Sequence, residues 1–357
     1  MELKTFLKAL LESNSSDLHL VAGQPPTFRI DGKLERHGDT ALTASEIEGL
    51  LSPYVTPEHQ RTLRAEKMDM SLTIREHGRA FRCQVFLERG RFGAAIRVIP
   101  LGPPTLEQLE LQDLMQPILQ CRSGLVLVTG LTGSGKSATT AAIVERLNSS
   151  TEQRIFTIED PIEYEFVSKR CAITQHAVGE DVASYETGLQ MLMRSDPDIV
   201  VLGELRTLEV CWSAMTLADT NHLVFTVLHT SSATDSLRRI IDAFPEPHDN
   251  VRQMLARCLA AVVSQRLLPR ANRLGRVAAN EILMVTPRIR RMIAEGQTDM
   301  TMAIEAGRDL GMQSMDDAVL AHYKNGTISY DTAWQTMLDR ERLGLPIEEA
   351  SRANGQS

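Results

Sequence analysis

The residue types and spacing that could do chemistry begin with "GLTGSGKS" at 130–137. The string fits GxxxxGK[ST]. Gly130, Gly133 and Gly135 allow the backbone to turn successive N–H groups, those of Thr132 and Ser134 among them, inward around a phosphate. Lys136 can reach the outer oxygens of a polyphosphate, and the Ser137 hydroxyl suits Mg²⁺. The string ends an apolar run, "GLVLVTG" at 124–130, and opens a helical stretch at Lys136. Strand, loop, helix is the context this loop needs, because the helix's positive dipole end then faces the anion. A nucleoside triphosphate site with Mg²⁺ is the chemistry this segment predicts.

Turnover at such a site requires an acid near the metal and a group that orients water. "DIVVLGE" at 198–204 is a strand-like run ending in Glu204, at a distance that puts it beside the first strand and Glu204 close to the attacking water. "TIEDPIEYE" at 157–165 gathers Glu159, Asp160 and Glu163 around Pro161. From residue types alone it is either a solvated acidic turn or a second part of the site. His222 and His229 bracket another apolar run, "HLVFTVLH"; the pattern leaves them open between capping or core roles and a phosphate-facing one.

The elements that must position these groups follow from the pattern around them. At 357 residues the chain is long enough for two or three domains. Residues 1–100 read as an α+β domain: a helix with Leu3, Phe6, Leu7, Leu10 and Leu11 on one face, short strands turning at Asp31-Gly32, and a capping box of Thr43 and Glu46 before a helix near 44–51. "PLGPPT" breaks regular structure, so a linker is expected over 101–106. From 107 to 357 strands alternate with helices, the pattern of a parallel sheet covered by helices. Helical patterns cover 208–219, 233–243 and 249–266; "RVAANEILMVT" reads as one further strand before a mostly helical tail.

Composition excludes several classes. The net charge is −8 and aromatics make up 4%, which argues against direct nucleic-acid binding and against stacking platforms for single strands. The five cysteines, Cys83, Cys121, Cys171, Cys211 and Cys258, form no CxxC pair and hence neither a disulfide framework nor a four-cysteine zinc site. No stretch has the roughly 20 apolar residues of a membrane span. A cytoplasmic protein is expected, reaching a membrane only through a partner.

Four segments together resemble the bacterial type II/IV secretion-ATPase superfamily: the loop "GLTGSGKS", an Asp box "TIEDPIEY", a Walker-B segment "RSDPDIVVLGELR" and a His box "NHLVFTVLHTSSATDSLRRIIDAFP". Within it the chain is similar to the type IV pilus retraction ATPases, the PilT-like branch. "SDLHLVAGQPPTFRIDGKL" resembles the opening of that branch's PAS-like N-terminal domain, "FRCQVFLERGRFGAAIRVIP" its arginine-bearing hairpin, and "GRVAANEILMVTPRIRRMIAEG" (275–296) its C-terminal retraction signature. The missing cysteine cluster sets the chain apart from extension and type II secretion ATPases. The resemblance implies a RecA-like P-loop ATPase domain preceded by an α+β PAS-like domain. It implies Glu204 activating water, Glu159, Asp160 and Glu163 serving metal and water, with Glu163 the catalytic member, and Ser137, Glu163 and Glu204 near Mg²⁺. It further implies His229 at the γ-phosphate of ATP with His222 in support, and Arg82 and Arg97 brought from the N-terminal domain onto the phosphates. The partners it implies are five further copies in a homohexamer, an inner-membrane pilus platform protein and a paralogous retraction ATPase. Leu131, Ala138, Thr207 and Thr220-Asn221 depart from the usual pattern. Thr207 stands where an aspartate is common, and removing an acid near Arg206 opens an alternative: an accessory PilU-like paralogue, or a nucleotide-sensing ring subunit with little hydrolysis. A type II/IV secretion motor is the other alternative.

Overall fold

A computed structural model describes residues 2–344, apart from 14, 31–32, 68, 101 and 272–274. The Asp31-Gly32 turn and the start of the expected linker at Leu101 lie outside the described residues. The chain divides into two compact units, Met1–Gly102 with Glu163–Glu165, and Pro103–Ile162 with Phe166–Ser357.

The first unit runs α1 (Leu3–Glu12), β1 (Asp17–Leu20), β2 (Thr27–Ile30), β3 (Lys33–Arg36), α2 (Ala44–Leu51), α3 (Pro57–Arg61), β4 (Met70–Glu76), β5 (Arg79–Glu88) and β6 (Arg91–Val98). Its strands form one antiparallel sheet in the order β3-β2-β1-β6-β5-β4. Leu3, Phe6, Leu7 and Leu10 of α1 and Ile47, Leu50 and Leu51 of α2 share one core with Leu18, Phe81, Val85 and Ile96 of the sheet. The capping box forms: Thr43 accepts from the Glu46 amide, and the Glu46 carboxylate accepts from the Thr43 amide at 2.7 Å.

The second unit runs α4 (Gln116–Leu119), β7 (Gly124–Thr129), α5 (Lys136–Ser150), β8 (Arg154–Glu159), β9 (Ala172–Ala177), α6 (Tyr185–Leu192), β10 (Ile199–Leu202), α7 (Leu208–Asp219), β11 (Leu223–Leu228), α8 (Ala233–Ala243), α9 (Asp249–Cys258), β12 (Leu259–Pro269), β13 (Arg276–Met284), α10 (Pro287–Ala294), α11 (Thr301–Ala306), α12 (Met315–Lys324) and α13 (Tyr330–Thr336). Its sheet has the order β13-β12-β7-β11-β10-β8-β9, parallel except for β13. Strands buried on both faces read as continuous apolar runs. Leu125 and Leu127 of β7 face one core with Val262, while Val126 faces another with Ile143 of α5 and Val263. Among the described residues no helix is long and apolar enough to cross a membrane.

One expectation changes. The helix foreseen over 249–266 stops at Cys258, and Leu259–Pro269 is strand β12. A buried apolar run gives no periodicity that separates helix from strand, and the β-branched pair Val262-Val263 favours strand. In α10, Ile289 and Ile293 are buried and Met292 packs against the core. Arg290 donates to the carbonyls of Ala256, at 2.8 Å, and Arg257, capping α9. Arg288 and Arg291 are exposed. Ile293→Ala should therefore cost about 2–5 kcal/mol, and Arg288→Ala or Arg291→Ala less than about 0.5 kcal/mol. Urea midpoints measure both; equal shifts would contradict this packing.

Candidate nucleotide site

Because β7, β8, β10 and β11 are parallel, their C-terminal ends lie on one edge of the sheet, the edge where open α/β sheets bind ligands. The loop 130–135 leaves β7 there and α5 begins at Lys136. Its bends need glycine: φ is +147° at Gly130, +79° at Gly133 and +85° at Gly135. At Gly130 crowding adds to conformation, since a Cβ would lie 2.4 Å from the Gln265 carbonyl oxygen. Lys136 is buried, its Nζ donating to the carbonyls of Gly130 at 2.8 Å and Leu131 at 3.0 Å. Ser134 is buried, Ser137 half-buried, and Thr132 and Gly133 exposed.

On the same edge Arg206 binds two carboxylates, donating to Asp160 at 2.7 Å and to Glu204 at 3.2 Å. Burial works against the guanidinium's charge, but the hydrogen bond to Glu204 and the charge of Asp160 outweigh it and hold its pKa above the ordinary value. His229 Nε2 stands 3.5 Å from Glu204 Oε1. Glu159 accepts from Thr157 at 2.7 Å and Gln175 at 3.3 Å. Thr207 accepts from the Val210 amide as the N-cap of α7, a task aspartate also performs.

The remaining predicted residues lie elsewhere. His222 is at the opposite end of β11, about 23 Å from His229 at strand rise. Its Nδ1 is 3.0 Å from the Leu217 carbonyl and its own carbonyl accepts from Gly124. It fastens the end of α7, at the strand end away from this chain's own phosphate-binding loop. Glu163 is exposed and groups with the first unit. There Arg82 and Arg97 are direct cross-strand partners on one sheet face, and Arg97 donates to the buried Asp17 at 2.7 Å.

Sequence reasoning missed several neighbours. Tyr185 Oη would sit 2.7 Å from a Cβ at Gly203, so that glycine admits the phenol beside the acidic strand end; burial and then Asp160 push the phenol's pKa up. Arg276 Nη1 reaches the Gly133 carbonyl at 3.4 Å. Glu281 accepts from the Ala233 amide at 2.7 Å, fixing the start of α8 just after His229. Polar residues interrupting the apolar runs of β12 and β13 were the available signal. Among the described residues no three His, Cys, Asp or Glu side chains cluster as a metal cage. The hydroxyl of Ser137 and the carboxylates of Glu204 and Asp160 are hard oxygen donors of the kind that suit Mg²⁺ held mainly by phosphates and water.

Residues 104–273 match the family of type II/IV secretion system proteins. The type IV pilus retraction ATPase PilT of Pseudomonas aeruginosa is 37% identical over 97% of this chain and 99% of its own. The chain belongs to this family, in its PilT-like branch. The type IV pilus ATPase PilU of the same organism is 34% identical over 99% of this chain and 93% of its own. A crystal structure of the pilus retraction motor PilT with bound ADP superposes with a TM-score of 0.85 at 35% identity, covering 96% of this chain and 99% of that one. The fold class expected from sequence, a RecA-like domain behind an α+β N-terminal domain, holds.

Burial lifts the pKa of Glu281, although the Ala233 amide, the Arg266 charge and Ser264 pull it down. A carboxyl raised on folding binds its proton more tightly in the folded state, so ionising it as pH rises costs stability. Glu281→Gln keeps the acceptor for Ala233 without the charge. Its melting temperature relative to wild type should therefore rise as pH climbs above the ordinary carboxylate range; a pH-independent difference would contradict this.

Proposed function

We propose that this chain is an ATP-hydrolysing motor that drives type IV pilus retraction as a homohexamer, cytoplasmic and acting on an inner-membrane platform protein. The observation that carries the reading is one sheet edge bearing both the glycine-bent loop and the Glu204–Arg206–Asp160 cluster with His229. Likeness over nearly the full chain to a retraction ATPase supports the direction of the motor.

In this reading the amides of Gly130, Thr132, Gly133, Ser134 and Gly135 bind the phosphates. Lys136 exchanges its two carbonyl partners for β- and γ-oxygens. Ser137 and Glu204 would hold Mg²⁺, which would supply positive charge against that developing on the phosphates. Glu204 orients a water molecule and accepts its proton as the water oxygen bonds to the γ-phosphorus and the bond to ADP breaks. His229, against Glu204, contacts the γ-phosphoryl group. Asp160 keeps Arg206 from neutralising Glu204 alone, and Glu159 braces the strand end. Arg82 and Arg97 reach the phosphates by movement of the first unit, and Glu163 acts with them. Asp17 holds Arg97 until then. Coupling turnover to that movement converts binding energy into work.

Lys136→Ala should abolish ATP binding in calorimetry, and unchanged binding would overturn the loop's role. Glu204→Gln should bind ATP yet lose about 100-fold or more in phosphate release. Arg97→Ala should retain binding and lose about 1000-fold in turnover, as removal of an arginine finger does. Equal losses of binding and rate would contradict its role in the transition state. In cells, deletion should leave pili on the surface and abolish twitching; blocked protein export with intact twitching would favour a secretion motor.

A further inference from the structure

Strand β12 carries three consecutive polar residues, Ser264, Gln265 and Arg266, inside an apolar run, and its alternation sends Gln265 to one face of the sheet and its two neighbours to the other. Gln265 faces α5. It is 2% exposed, its register partner Asn280 is 0% exposed, and Thr139 of α5 is 1% exposed. Its Nε2 donates to the carbonyl of Ser134 at 2.7 Å. Its Oε1 accepts from Thr139 Oγ1 at 2.7 Å and from Asn280 Nδ2 at 2.9 Å. A Cβ at Gly135 would lie 2.9 Å from Gln265 Nε2.

We propose that Gln265 is a positioning residue for ATP turnover, acting through the Ser134–Gly135 peptide of the phosphate-binding loop. This rests on the reading of that loop as the nucleotide site. In a planar trans peptide the C=O and the following N–H point in opposite directions. Drawing the Ser134 carbonyl onto Gln265 therefore turns the Gly135 N–H to the other side, into the concavity of the loop. The same carboxamide ties that peptide to the first turns of α5 through Thr139 and to β13 through Asn280, which in turn accepts from Gln313 through its carbonyl at 2.9 Å. Only a group with both a donor and an acceptor makes these three bonds at once. Because all of them are buried, each partner left alone would be unsatisfied, and the network is held as a unit.

The test uses the full-length ring, with circular dichroism as a check of folding. Gln265→Leu removes the donor, and Gln265→Glu keeps the shape but makes the donor depend on a proton. With ATP and Mg²⁺, Gln265→Leu should lose at least tenfold in kcat/KM at every pH. Gln265→Glu should regain activity toward wild type as pH falls from about 8.5 to about 6.5, because a buried carboxyl titrates high and its O–H can then donate to Ser134. A merely structural role has no reason to produce that acid rescue. Should Gln265→Leu not fold, Thr139→Val, which deletes one bond, should lose about threefold or more. A folded Gln265→Leu within twofold of wild type, or a Gln265→Glu pH profile parallel to wild type, overturns the proposal. Failure of wild type to bind ATP, or binding undiminished in Lys136→Ala, overturns the underlying reading instead.

Discussion

The second unit depends on how closely β12 approaches the loop that follows β7. A side-chain carbon at Gly130 would sit 2.4 Å from the Gln265 carbonyl, well inside contact distance. Two constraints then act on Gly130: a positive φ that only glycine adopts easily, and a neighbouring strand that leaves no room for anything larger. The loop is thereby pressed into one shape before any ligand arrives, and preorganised amides are worth more to an anion than amides that must first be arranged. Lys136 shares in this order, since two loop carbonyls hold its ammonium group in place.

Electrostatics along the same edge is organised around Arg206. A guanidinium between Asp160 and Glu204 keeps two carboxylates from repelling each other and leaves Glu204 in reach of His229. This also bears on Thr207, whose departure from aspartate suggested an accessory protein. The threonine still caps α7, and Arg206 keeps both of its acids.

Much of this was legible beforehand for identifiable reasons. The glycines, Lys136 and Ser137 are read directly because their chemistry is local: the spacing alone dictates the loop. Glu204, Asp160 and Glu159 are read through strand ends, which parallel topology brings to one edge. What was not legible depends on long-range pairing. Leu259–Pro269 has no period that distinguishes a buried strand from a buried helix, so Gln265 and Ser264 could not be assigned faces, and their partners Asn280 and Glu281 stayed invisible. His222 and His229 look alike in sequence; only strand direction shows that they occupy opposite edges. Arg290 shows nothing in the local sequence of its partners, the carbonyls of Ala256 and Arg257 at the end of α9.

The central claim, that the glycine-bent loop is the nucleotide seat and the Glu204 edge its reactive wall, is tested most directly by amide hydrogen exchange with and without Mg²⁺ and a nonhydrolysable ATP analogue. The account predicts slowed exchange concentrated in peptides covering 130–139 and 203–206, with His222 and the α7 end it fastens unchanged. Protection that bypasses 130–139, or falls evenly over the second unit, would contradict it.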